Sequence, residues 1–152
     1  ASSGGAYRAA PEHHRICRWG LEPLPLHNGY RDRKPVEQVM RTDAVAVLKN
    51  GVELGKACWA DFLKELSWTP STPDRVVCHQ VGRAHQDEIL KAFGVPPEKD
   101  FTTFEFLGNI GTVSLPLTAA LAAERGEIGP GDKAAWLGIG SGLNCLMLGW
   151  EW

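Results

Sequence analysis

The sequence is poor in the features that mark several classes of protein. Its longest nearly uninterrupted apolar stretches, such as residues 134–139, fall far short of the roughly 20 residues a membrane helix needs, so no membrane span is expected. No charged start followed by an apolar run marks a signal peptide. Neither charge is in excess: sixteen Lys and Arg stand against eighteen Asp and Glu, for a net charge of -2. That leaves no basic stripe to hold a phosphate backbone, and nucleic acid is not an expected partner. The four cysteines (Cys17, Cys58, Cys78, Cys145) form no Cys-x-x-Cys pair and no dense disulfide spacing, which fits a reducing cytoplasm. Cys78 and His79 with His85, or His13, His14 and Cys17, match no structural zinc pattern, so neither a metal nor a resident cofactor is expected.

What is present suits one domain with a substantial core. A chain of 152 residues buries about two-thirds of its unfolded surface. A hydrophobic fraction of 43% and six tryptophans supply the apolar area for a core or an interface. Residues 1–12, small and polar, read as a loose arm, residues 14–20 as a strand, and the proline-rich residues 21–35 as an irregular loop. Over residues 35–67 apolar side chains recur at three and four, from Val36 and Val39 to Phe62 and Leu66, which predicts one long helix. Gly51 and Gly55 inside it point to a close approach of another backbone or to a bend.

Residues 75–79 (RVVCH) have the profile of a buried parallel strand. Residues 80–93 read as a helix capped by Gly94, residues 101–107 as an alternating strand and 112–125 as a second helix with Pro116 in its first turn. Two final strands, 133–139 and 145–150, flank Gly140, Ser141 and Gly142. The expected architecture is an α/β domain, a mixed open sheet with helices on its faces. In such sheets ligands collect beyond the carboxyl ends of the strands, where His79, Asn109 and the Gly140–Ser141 turn are expected to converge.

A neutral imidazole and a carboxamide each offer an N–H donor, and two donors aimed at one point can hold a developing enolate or oxyanion. His79 and Asn109 are the candidates. A strand-end histidine that only completes the packing, and an asparagine that only suits its turn, remain the plain alternatives. The glycine-rich residues 138–142 fail as a dinucleotide motif because Leu143 replaces the last glycine and ten residues remain after Gly142. They read G-I-G-S-G and not G-x-S-x-G, so Ser141 is no hydrolase nucleophile. Such a loop can still bring backbone amides close to a ligand.

Taken together, Cys78-His79-Gln80, Gly108-Asn109 thirty positions after His79, Pro116, Gly129-Pro130-Gly131-Asp132 and Gly140-Ser141-Gly142-Leu143 resemble the C-terminal half of a thiolase-superfamily condensing enzyme. The 3-oxoacyl-(acyl-carrier-protein) synthase III group is the nearest, and within it the branch that joins two long-chain acyl-CoAs in olefin biosynthesis. The resemblance runs from about residue 12 to residue 152, so residues 1–152 are expected to form one thiolase-like C-terminal domain.

It implies that His79 and Asn109 are two members of a Cys-His-Asn triad that stabilise the enolate of a second acyl thioester. The backbone at Gly140 and Ser141 would form part of an oxyanion hole, although the family often has glycine where Ser141 stands. The nucleophilic cysteine belongs to an N-terminal half, which is implied as a partner polypeptide. None of Cys17, Cys58, Cys78 and Cys145 replaces it; each reads as a small buried apolar residue. The implied activity is a Claisen condensation of fatty acyl thioesters to a 2-alkyl-3-oxoacyl product, with acyl-CoA or acyl-carrier protein as substrate and a second protomer completing a dimer. Decarboxylative condensation with malonyl-carrier protein is the alternative within the family. A non-catalytic subunit that completes or scaffolds a partner is the alternative outside it.

Overall fold

The computed structural model describes residues 3–10, 17–23 and 36–152. The apolar run at residues 75–78 forms β4 (Arg75–Cys78), which pairs in parallel with β5 (Lys133–Gly140). β5 turns back into β6 (Asn144–Glu151), and β1 (Ser3–Ala9) closes the sheet antiparallel to β6, for the order β1-β6-β5-β4. A separate antiparallel hairpin joins β2 (Cys17–Pro23) to β3 (Val36–Thr42).

Strand alternation sends side chains to two cores. Val76, Cys78, Ala135, Leu137, Cys145 and Met147 face α1 (Ala44–Leu66) and α2 (Arg83–Phe93), which contribute Cys58, Trp59, Phe62, Leu90 and Phe93. Trp59 stacks between Phe62 and Phe93, each ring 5.2 Å away, and its indole N–H donates to the Phe93 carbonyl. On the opposite face Val77 and Ala134 meet Ala119 and Ala122 of α4 (Ser114–Glu124). A short α3 (Phe104–Leu107) lies between α2 and α4.

Helix α4 packs on β4 and β5, and the outer strands on its side stay open: Tyr7, Leu146 and Leu148 are 62%, 47% and 38% exposed. Gly51 and Gly55 do mark close approaches, but the neighbours are side chains. A Cβ at Gly55 would sit 3.0 Å from the Phe93 ring, and one at Gly51 3.2 Å from Ile139 Cδ1.

Four sequence expectations need correction. The loose arm contains β1, whose small residues, Gly4, Gly5 and Ala6 among them, carry no apolar alternation and are held by pairing with β6. The long helix begins only at Ala44, because Asp43 caps it by accepting the Ala46 N–H at 3.0 Å; the residues before it form β3. β2 runs on to Pro23, into the expected loop, while residues 14–16 of the expected strand and 24–35 of the loop lie outside the described residues. The expected strand at residues 101–107 is instead an extended approach followed by α3. The Gln80 carboxamide oxygen captures the N–H groups of Thr103 and Phe104 at 2.8 and 3.0 Å and starts a helical turn there.

Candidate active site

His79 follows β4 directly, and its backbone N–H donates to the Leu137 carbonyl at 2.8 Å, carrying the parallel pairing one residue past Cys78. Gly140 ends the neighbouring strand, so His79 and the turn after Gly140 share the carboxyl end of two adjacent parallel strands. The His79 side chain is half-buried, and that burial holds its pKa below the ordinary histidine value. At neutral pH the imidazole is therefore uncharged, with one N–H to donate and one nitrogen to accept.

Asn109 lies in the link between α3 and α4. Its carboxamide oxygen accepts the Gly111 N–H at 3.0 Å, an Asx turn. Because a backbone N–H can only donate, this bond identifies the oxygen and turns the NH2 group outward, where it donates to none of the described residues. Asn109 is exposed, with the half-exposed apolar side chains of Phe106, Ile110 and Val113 around it in the chain.

The turn after β5 is pinned from two sides. Asn144 donates to the Ser141 carbonyl at 2.6 Å and accepts from the Tyr7 hydroxyl at 2.8 Å. Leu143 and Ala10 exchange both backbone hydrogen bonds, at 2.8 and 3.1 Å. Gly142 has φ +139, and a Cβ there would collide with the Asn144 carboxamide, so glycine is required. A Cβ at Gly140 would meet nothing within 4 Å, which leaves the main chain there open to an approaching group.

Leu115 of α4 ties the Asn109 segment to this end of the sheet, its Cδ2 lying 3.5 Å from where a Gly138 Cβ would stand. A buried polar chain ties it to β4. Gln80 donates to the Cys78 carbonyl at 2.7 Å while its oxygen holds Thr103 and Phe104. Thr103 and Thr118 share a 2.6 Å hydroxyl contact, Thr118 donates to the Ser114 carbonyl at 2.7 Å, and the Ser114 hydroxyl accepts the Ile110 N–H at 3.0 Å. The sequence shows Ser114 and Thr118 only as polar residues four apart on a helix. Thr118 meets Thr103 only in the fold, whereas Ser114 is held by its near neighbours Ile110 and Thr118.

Cys58, Cys78 and Cys145 are all buried, as small apolar residues would be. Cys78 is buried, and desolvation, with Asp100 nearby, pushes its thiol well above the ordinary value. The Cys145 thiol is raised by its contact with Cys58 and by burial. Cys58 donates to the Ala6 carbonyl at 3.4 Å, and its contact with Cys145 lowers its thiol below the ordinary value although it is fully buried. Cys17 lies in β2, and His13 and His14 fall outside the described residues. Among the described residues no three His, Cys, Asp or Glu side chains cluster as a metal site would require, and no helix is long and apolar enough to cross a membrane.

Comparison with known proteins gives a consistent picture. Residues 63–152 match the C-terminal domain of 3-oxoacyl-[acyl-carrier-protein (ACP)] synthase III. An acyl-CoA:acyl-CoA alkyltransferase of Shewanella oneidensis is 50% identical over 149 residues, 98% of this chain and 41% of that protein. One of the same name from Xanthomonas campestris is 36% identical over 149 residues, 98% of this chain and 39% of that protein. The structure of a Xanthomonas campestris OleA variant with bound lauric acid and lauroyl-CoA superposes with a TM-score of 0.81 at 36% identity, covering 98% of this chain and 40% of the other. The chain thus spans about two-fifths of the length of these relatives. It belongs to the 3-oxoacyl-[acyl-carrier-protein] synthase III family, as the C-terminal half of a thiolase-like fold.

Proposed function

We propose that this chain is the enolate-stabilising half of an acyl-CoA:acyl-CoA condensing enzyme. The observation that carries the reading is that a neutral His79 and an Asn109 whose NH2 group is left undonated both stand in a chain half identical to an acyl-CoA:acyl-CoA alkyltransferase. The relatives named beta-ketoacyl-[acyl-carrier-protein] synthase III are more distant, 23% identical in the case of Clostridium perfringens, which favours acyl-CoA over a malonyl-carrier protein as second substrate.

The chemistry runs in two stages. A cysteine thiolate of the N-terminal half attacks a first acyl-CoA; the new thioester forms as the bond to CoA breaks and CoA leaves as thiolate. A second acyl-CoA then gives up an α-proton to a base. As its carbonyl oxygen gains negative charge, the His79 N–H and the Asn109 NH2 donate to it, each donor of this kind contributing about 3–4 kcal/mol. The α-carbon attacks the acyl-cysteine carbonyl, whose oxyanion is met by backbone amides, that of Ser141 among them, and the cysteine thiolate leaves. The product is a 2-alkyl-3-oxoacyl-CoA.

The open face at Tyr7, Leu146 and Leu148 is the natural seat for the N-terminal half, and two such completed protomers would form the dimer. The free thiols of Cys58, Cys78 and Cys145 suit the reducing cytoplasm in which acyl-CoA is made. In the completed enzyme, His79→Ala and Asn109→Ala should each leave acylation of the cysteine intact and slow condensation by about 100-fold or more. Condensation at the wild-type rate in both variants would sink the reading and leave a scaffolding subunit in its place.

A further inference from the structure

Four of the five buried polar side chains among the described residues, Gln80, Thr103, Ser114 and Thr118, belong to one hydrogen-bonded chain, and Gln86 is the fifth. Each of the four is at most 1% exposed. Burying three hydroxyls and a carboxamide costs free energy that apolar residues of the same shape would not. Where such a network is retained and its members are paired, a fixed geometry is one thing it can supply.

The direction of every bond follows from chemistry. Thr118 has a single hydroxyl hydrogen, committed to the Ser114 carbonyl, so Thr103 is the donor in the Thr103–Thr118 contact. The Ser114 hydroxyl accepts from Ile110, the residue after Asn109. At the other end Gln80, the residue after His79, spends its NH2 on the Cys78 carbonyl and its oxygen on Thr103 and Phe104. The chain therefore begins one residue past His79 and ends one residue past Asn109. Another side-chain bond between these stretches, Arg83 to Glu105 at 2.9 Å, is exposed and joins α2 to α3 farther from both residues.

We propose that Gln80, Thr103, Thr118 and Ser114 are positioning residues that hold the Asn109 amide in register with His79 for the condensation step. The inference rests on the reading of His79 and Asn109 given above. Neither hydroxyl of the central pair touches substrate; both act through the Ile110 N–H and the turn that aims Asn109. A displacement of about 1 Å in a group that meets a developing charge can cost on the order of 100-fold in rate.

The test uses the completed enzyme, with Thr118→Val to delete the hydroxyl at nearly constant shape and Thr118→Ser to restore it. Two steps are timed separately: CoA release on acylation by a single acyl-CoA, and product formation when a second acyl-CoA is added to the acylated enzyme. The expected result is acylation within about two-fold of wild type and condensation slowed roughly 10- to 100-fold in Thr118→Val, with most of the loss recovered in Thr118→Ser. In an Asn109→Ala background Thr118→Val should cost nothing further, because the group it positions is gone.

Equal slowing of both steps, no recovery with serine, or losses that multiply in the double variant would each overturn the proposal and leave an ordinary packing role. Asn109→Ala at the wild-type condensation rate would overturn the active-site reading itself, whatever Thr118→Val does. Amide exchange at Ile110, expected to rise in Thr118→Val and not in Thr118→Ser, reads the tether without reference to activity.

Discussion

The Gly111 N–H donates to the side-chain oxygen of Asn109 at 3.0 Å, and that one bond decides which end of the carboxamide faces outward. Aspartate would keep the turn, since its carboxylate accepts the same N–H, but would offer an acceptor where the amide offers a donor. Asn109→Asp should fold like wild type and place a negative charge against the developing enolate. We expect acylation to survive and condensation to fall by roughly 1,000-fold, more than in Asn109→Ala, because repulsion is added to the lost donor. Single-turnover rates of the two steps, with thermal midpoints as a control for folding, check it.

His79 makes the complementary prediction. Burial depresses its pKa, so the imidazole stays neutral below the pH of about 6.5 at which an exposed histidine is half protonated. A donor role needs only the neutral form. In an NMR titration the His79 ring should therefore reach its midpoint below about 6.5, while His85, also lowered by burial, serves as an internal comparison. A His79 midpoint above 7 would make imidazolium the resting form and call for a proton-donating role instead.

How far the sequence reveals all this depends on whether the deciding contact is local. β4, β5, β6 and α2 are legible from apolar runs, alternation and the Gly94 cap, whose N–H reaches the Leu90 and Lys91 carbonyls in the structure. His79 and the turn after Gly140 are legible as strand ends. The helix boundary at Asp43 is not legible because Val36, Val39 and Met40 have a spacing that also continues the pattern of α1, which masks the cap. α3 is illegible for a deeper reason. Phenylalanine and threonine favour strands, and only the buried Gln80, more than twenty positions earlier, converts the segment into a turn. The same long-range contact is the start of the tether to Asn109, so part of the candidate site was invisible for the same cause as part of the fold.

Close packing between α1 and α2 can be probed at Gly55, where an added Cβ would lie 3.0 Å from Phe93 Cζ and 3.4 Å from Cε1. Helix propensity alone favours Gly→Ala by about 1 kcal/mol. Here the Phe93 ring is stacked on Trp59 and has little room to yield, so the overpacking penalty of about 1–3 kcal/mol should win. Gly55→Ala is expected to lower the thermal midpoint, and combining it with Phe93→Leu should recover much of the loss. A rise in the midpoint of the single variant would show that the ring moves freely.

Asp100 should contribute to the pH dependence of stability. Its Oδ1 is buried without a hydrogen-bond partner, and only Oδ2 is met, by the Gln86 amide. Burial raises its pKa to about 7, against an ordinary value near 4. A carboxyl with a raised folded-state pKa binds more protons folded than unfolded between those values. Stability should accordingly fall as the pH climbs from about 4 to about 7, by an amount on the order of 4 kcal/mol once the group is fully ionised. Asn at this position keeps an acceptor for Gln86 and carries no charge. Asp100→Asn should therefore raise the thermal midpoint modestly at pH 5 and more at pH 8, and flatten the dependence between them. A wild-type midpoint that rises from pH 5 to pH 8, with no gain in the variant at pH 8, would mean that the carboxylate is solvated on opening to water and that Oδ1 is not the orphan its surroundings make it.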